Sequence, residues 1–222
     1  MRTPDLVLRG RRLTGDRALV MASVETGGDE ARDAVHLAGK DGADLVEVPA
    51  GALPHCHPGP TFAVATGSAE VAEAACRAGA RLIRDTGDAD PALLEIVARH
   101  GAGYVCAAPG GAVPIAEALA ERAERAAAAG VPRQGILVDP GAERPGLLAA
   151  VLRQLDAVAA TGWPVLLTAP GETAEALTAT ALAARHGVAV FRTTRVRQTR
   201  HAAEMVASVL GTRPPAKAVR WE

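Results

Sequence analysis

The sequence predicts an α/β chain that closes into a single (β/α)8 barrel, and three observations carry that prediction. Short apolar runs alternate with longer, Ala-rich, helix-period stretches from one end of the 222 residues to the other, the pattern of a parallel sheet with crossover helices. The apolar runs number eight, which suits a closed barrel better than an open sheet. A glycine (Gly42, Gly79, Gly101, Gly130, Gly162 and Gly187) stands between a helix pattern and the next strand six times over, where a left-handed residue ends a helix.

The elements follow in order. LVLRG and RRLTG read as a small hairpin that caps the bottom of the barrel. Ala18–Val24 is the first barrel strand and Asp29–Lys40 its helix, closed by Gly42. Ala43–Val48 is the second strand. It is followed by PAGALPHCHPGPT, with four prolines and no room for a helix; the helix after strand two is expected to be missing. Phe62–Thr66 leads into helix Ala69–Ala78 and Gly79. Leu82–Thr86 leads into helix Pro91–His100 and Gly101. Tyr104–Ala108 precedes the long alanine-rich helix Ala112–Ala129. Ile136–Asp139 precedes helix Gly146–Thr161, Pro164–Thr168 precedes helix Glu172–His186, and Val188–Arg192 precedes the last helix, Gln198–Leu210. No linker or low-complexity break divides the chain, so residues 1–222 read as one domain.

Composition removes several function classes. The formal net charge is −1 and no run of Lys or Arg argues for nucleic acid or an anionic membrane. Aromatics make up 2%, too few for base stacking. MRTPDLVLRGRRL lacks an apolar core of signal-peptide length, and no apolar run is long enough to span a bilayer; a cytoplasmic protein is expected. Cys56, Cys76 and Cys106 have neither metal nor disulfide spacing. Cys76 and Cys106 read as small core residues. His55-Cys56-His57 looks like a metal cluster, but adjacent ligands rarely close one site; the ordinary reading is an exposed loop with a free thiol, and no metal is assigned. His100, His186 and His201 lie at helix ends, where a solvated charge near the dipole explains them.

In such a barrel, ligands sit at the C-terminal ends of the strands. The residues leaving the strands include Glu25, Glu47, Ala65, Thr66, Arg84, Asp85, Asp139, Thr168 and the run Arg192 to Arg195. Asp85 and Asp139 are expected to face the mouth, with Arg84, Arg192 and Arg195 as anion clamps for a phosphate or carboxylate. Each has a plainer reading. Asp139 before Pro140-Gly141 and Asp85 before Thr86-Gly87 are ordinary turn residues. Arg192 could be a surface charge, or a structural partner of Asp139.

The order GADLVEV, FAVATGSAEVAEAACRAGARLIRDTG, ADPALLEIVARHGAGYV, ILVDPG, GWPVLL and FRTTRVRQTRHAAEMVASVLGTRPP resembles dihydropteroate synthase. The likeness runs from about residue 8 to the C-terminus and is most specific from Phe62 to Val105. It implies a pterin-binding TIM barrel, commonly a homodimer. The family condenses 6-hydroxymethyl-7,8-dihydropterin pyrophosphate with p-aminobenzoate, releases pyrophosphate and uses Mg2+.

Carried over residue by residue, the resemblance is uneven. Asp139 of Asp139-Pro140-Gly141 matches the acid that holds the pterin's guanidine-like edge. Arg192 matches the phosphate-binding Arg of the last strand, and Asp85 matches the Asp of the Asn-Asp pair on strand four. Glu25 stands where the family has an Asn after strand one. Arg84 replaces the amide of Asn-Asp. The Asp of the family's Asp-Thr on strand three is Ala65. The Lys after strand seven is absent from TAPGETAE, the His of the last strand is Thr194, and both long substrate loops are missing. Arg84, Arg195 and Glu25 are candidate substitutes. A site built to stabilise a departing pyrophosphate and to exclude water has lost both loops and two cationic groups. The resemblance therefore implies a degenerate synthase-like protein with the condensation lost or strongly impaired. The alternatives are an active or repurposed pterin transferase with remodelled loops, using Mg2+, and a non-catalytic structural or regulatory subunit.

Overall fold

The structure is a computed structural model that describes residues 5–13, 15–55, 61–108, 115–144 and 146–214. It opens with an antiparallel hairpin of β1 (Leu6–Leu8) and β2 (Arg11–Leu13). Arg9 and Gly10 form its two-residue loop, both at positive φ (49° and 76°), the backbone that a primed hairpin turn requires.

Eight parallel strands follow: β3 (Leu19–Ser23), β4 (Leu45–Val48), β5 (Thr61–Ala65), β6 (Leu82–Arg84), β7 (Gly103–Ala107), β8 (Ile136–Asp139), β9 (Leu166–Thr168) and β10 (Val190–Thr193). They pair in the order β8-β7-β6-β5-β4-β3-β10-β9. A parallel bridge, Val138 to Val165, with the Val138 N–H donating to the Pro164 carbonyl at 2.9 Å, brings β8 against β9 and closes the ring. The seven helices are α1 (Gly28–Lys40), α2 (Ala69–Arg77), α3 (Pro91–Arg99), α4 (Ile115–Ala128), α5 (Leu148–Ala160), α6 (Thr173–Arg185) and α7 (Val196–Val209). After β4 a 3-10 helix, Ala50–His55, takes the place of an α-helix. Cys56 and His57 of the His-Cys-His run, and Ala112 to Pro114 before α4, lie outside the described residues.

Glycine ends the helices as expected. At Gly79 (φ 102°) the N–H donates to Cys76 O, and the next N–H, of Ala80, donates back to Ala75 O. This pair of bonds uses up the last free carbonyls of α2 and recurs at Gly42, Gly101, Gly130 and Gly187.

Packing forms two layers. Val20, Val46, Val64, Ile83, Tyr104, Ile136, Val138, Leu167 and Phe191 point outward and meet the helices. Leu19, Met21, Leu45, Ala63, Leu82, Val105, Leu137, Leu166 and Val190 point inward, and Leu6 and Leu8 of the hairpin join them as a plug. Gly103 is required there: a Cβ would come 2.4 Å from Leu8 Cδ2 and 2.8 Å from Gly135 O. Cys76 and Cys106 are both buried, as core residues should be. Burial drives the Cys106 thiol up to about 12, so it stays protonated and unreactive.

Candidate functional site

Strand parity decides which side chains reach the mouth. Side chains alternate across a strand, so the residue two beyond an inward one also points inward. Ser23 follows Met21, Glu47 follows Leu45, Arg84 follows Leu82, Asp139 follows Leu137, Thr168 follows Leu166 and Arg192 follows Val190. These six crown the apolar interior.

Glu47 is the hub. Arg84 donates to it through Nε at 2.7 Å and Arg192 through Nε at 2.8 Å, and Arg192 Nη2 lies 2.7 Å from Glu47 Oε1 as an ion pair. Arg192 Nη2 also donates to Ser23 Oγ at 2.8 Å. Burial by itself would raise the Glu47 pKa, but the bonds from Arg84 and the charge of Arg192 outweigh it and hold the carboxyl below its usual range. For Arg84, burial pulls the other way, and Glu47, Glu143 and Asp139 keep the guanidinium charged. Removing one member of such a desolvated set leaves an uncompensated charge and costs about 3–5 kcal/mol. Both arginines are thus held in place by a carboxylate that the sequence does not single out.

Asp139 is 1% exposed. Its Oδ1 accepts the Gly141 N–H at 2.8 Å, as a turn residue would, while its Oδ2 is buried without a partner among the described residues. Burial first, and the nearby Glu143 second, raise its pKa to about 7, against the Gly141 N–H and the charges of Arg84 and Arg192. Glu143 enters from the loop after β8: Oε1 lies 3.6 Å from Arg84 Nη1, and Oε2 is buried and unmatched among the described residues. Thr168 Oγ1 is unmatched as well. Among the described residues, these three oxygens are the buried polar atoms of the mouth without a hydrogen-bond partner.

The other expected residues are placed differently. Asp85 does not face the mouth. It lies one residue beyond inward Arg84, so it points outward, where its Oδ1 accepts the Gly87 N–H at 2.7 Å and its Oδ2 accepts the Ala89 N–H at 2.9 Å and the Tyr104 hydroxyl. The turn reading holds for Asp85. Arg192 pairs with Glu47 and not with Asp139. Arg195 stands at the N-terminal boundary of α7 without a capping bond from its side chain, which donates to Gly171 O at 3.1 Å. Glu25 is exposed and lines a hollow of about 280 Å³ with Ala34, Leu37, Asp41 and Thr193, beside α1. His100 meets Glu73 and His186 meets Asp156, both at helix ends.

Among the described residues no three of His, Cys, Asp and Glu are grouped as metal ligands; Glu47 is enclosed by guanidinium groups and Asp139 Oδ1 is taken by a backbone N–H.

Sequence reasoning names Glu47 only among the residues that leave the strands, without singling it out, and misses Glu143. Parity counted from Leu45 finds Glu47, but strands buried on both faces read as continuous apolar runs and hide their phase. Nothing in the sequence marks Glu143, because a loop folds it into place.

Residues 52–220 match the family described as pterin binding enzyme. The chain belongs to the dihydropteroate synthase family. It is 38% identical over 286 residues to "Inactive dihydropteroate synthase 2" of Mycobacterium tuberculosis (strain ATCC 25618 / H37Rv), covering 96% of this chain and 89% of that protein. That span exceeds the 222 residues here, so the relative carries extra segments that this chain lacks. A solved structure of Mycobacterium tuberculosis Rv1207 superposes with a TM-score of 0.82 at 41% identity, over 96% of this chain and 99% of that one. The dihydropteroate synthase of Thermus thermophilus, solved in complex with 6HMPPP, superposes at 0.79 with 27% identity, over 93% and 98%.

Proposed function

We propose that this chain is a degenerate dihydropteroate synthase: it keeps a pterin-binding mouth and does not carry out the condensation. One observation carries the reading. Both cationic groups that could serve a departing pyrophosphate, Arg84 and Arg192, are committed to Glu47, and Arg84 also faces Glu143. Stabilising a leaving group requires donors aimed at the developing charge, and these are neutralised beforehand. The relative named inactive supports the same reading.

The ligand is a pterin-like small molecule held at Asp139, whose Oδ2, unpartnered among the described residues, is an acceptor for it. Three buried oxygens there are unpartnered among the described residues, which favours a binding role over a purely structural barrel. The protein works in the cytoplasm as a homodimer. Support for the dimer comes from Leu182, Met205, Val209 and Leu210, which stand exposed on and beside α6 and α7 around a groove of about 480 Å³. No helix of the described residues is long and apolar enough to cross a membrane. Among the described residues no three His, Cys, Asp or Glu side chains group as metal ligands, and no step is assigned to Mg2+.

The test is a condensation assay with 6-hydroxymethyl-7,8-dihydropterin pyrophosphate, p-aminobenzoate and Mg2+, read as pteroate formed. The expected result is no product above the no-enzyme control. Turnover that disappears in Asp139→Asn would overturn the reading and establish an active synthase.

A further inference from the structure

Asp139 Oδ2, Glu143 Oε2 and Thr168 Oγ1 are buried at one end of the barrel without a hydrogen-bond partner among the described residues. (A fourth such atom, Thr61 Oγ1, sits at the opposite end of β5.) An ionised carboxylate only accepts, so these oxygens are met by N–H or O–H donors or by a cation, and a ligand with adjacent N–H groups supplies more than one donor at once.

Charge narrows the choice further. Three carboxylates, Glu47, Asp139 and Glu143, face two guanidinium groups, Arg84 and Arg192. With all of them ionised, the cluster carries one net negative charge, and with Asp139 protonated it is neutral. The other nearby cations are turned to backbone: Arg144 donates to Gly141 O at 3.3 Å and Arg195 to Gly171 O at 3.1 Å. A diphosphate would have to pull a guanidinium from Glu47 or displace Glu143, leaving a carboxylate without its partner. An uncharged heterocycle with adjacent N–H groups meets no such penalty.

We propose that Glu143 is a specificity-determining residue: beside Asp139, it selects a heterocycle that offers adjacent N–H donors and bears no diphosphate. The proposal rests on the reading that the mouth holds a pterin-like molecule, and it states which form of that class enters. A 2-amino-4-oxopyrimidine edge supplies two neighbouring donors, one for each acid. Glu143 acts by recognition and by charge, and no covalent step is involved.

The experiment is calorimetric titration at about pH 7.5 and low salt, where charge effects are least screened, with two probes, 6-hydroxymethyl-7,8-dihydropterin and its pyrophosphate. Each is titrated into wild type, Glu143→Gln and Glu143→Ala, with thermal melts confirming that both variants fold. Glu143 sits in a loop with its side chain 34% exposed, so neither change opens the core. The wild type should bind the unphosphorylated probe at least tenfold more tightly. Both variants should lose that preference, with affinity for the pyrophosphate rising about tenfold as one opposing charge leaves. Wild type that binds the pyrophosphate as tightly as the alcohol, or a preference that survives in both variants, overturns the role of Glu143 and leaves the pterin reading standing. No heat from either probe at millimolar concentration overturns both.

Discussion

Asp139 is where a single residue reports on the whole site. Burial and Glu143 place its pKa at about 7, against about 4 for a carboxyl in an unfolded chain. A raised folded-state pKa means that the native state binds the proton more tightly. The stability gained from that proton is complete below about pH 4 and is lost as pH rises toward about 7. Glu47 works in the opposite sense: its lowered pKa adds stability that disappears as pH falls. The two can be separated by comparing wild type with Asp139→Asn in urea unfolding at several pH values. The stability difference should move against wild type by on the order of a few kcal/mol between about pH 4 and pH 7, then level off. A difference that stays flat across that window would mean that Asp139 is not held in an uncompensated buried position. Glu143→Gln should bring the inflection to lower pH by removing the like charge.

At the scale of elements, the sequence is legible wherever local chemistry decides the outcome. Glycines end the helices where they are expected, and the proline-rich stretch after β4 gives a 3-10 helix. What stays hidden depends on phase and on long-range closure. Asp85 and Arg84 are neighbours in sequence and face opposite layers, which an all-apolar strand does not disclose. Glu47, Arg84 and Arg192 meet across separations of up to 145 residues. The hairpin is the bottom cap that its sequence predicts, and its energetic weight follows from packing. Leu8 is fully buried inside the ring, against the space that Gly103 leaves open. Truncation to Leu8→Ala should cost about 2–5 kcal/mol, the range for a core leucine whose surroundings cannot collapse. Denaturant unfolding measures this directly, and a loss under about 1 kcal/mol would show that the hairpin is not a part of the core.

Over the whole molecule, the same fold carries a site of altered charge and a surface that soluble monomers seldom keep. Met205 is 67% exposed and Val209 75%, with Leu182 and Leu210 beside them. The groove between α5 and α6, about 390 Å³ and bordered by Leu148, Leu152 and Leu182, continues the same face. On the reading that the protein is a homodimer, this contiguous apolar patch is its association surface. Because α6 and α7 run side by side, a two-fold arrangement lets each copy cover the other with one self-complementary patch. Met205 and Val209 stand in the C-terminal half of α7, at the end of that helix remote from the strand ends that form the mouth, so a charge at Met205 leaves the acids of the mouth untouched. Met205→Glu places two charges at the centre of such an interface, one from each copy, and should convert a dimer to a monomer in sedimentation equilibrium at micromolar concentration. Ligand binding at Asp139 should be unchanged in that variant. A wild type that sediments as a monomer across the accessible concentrations would remove the homodimer and leave this face without an assigned partner.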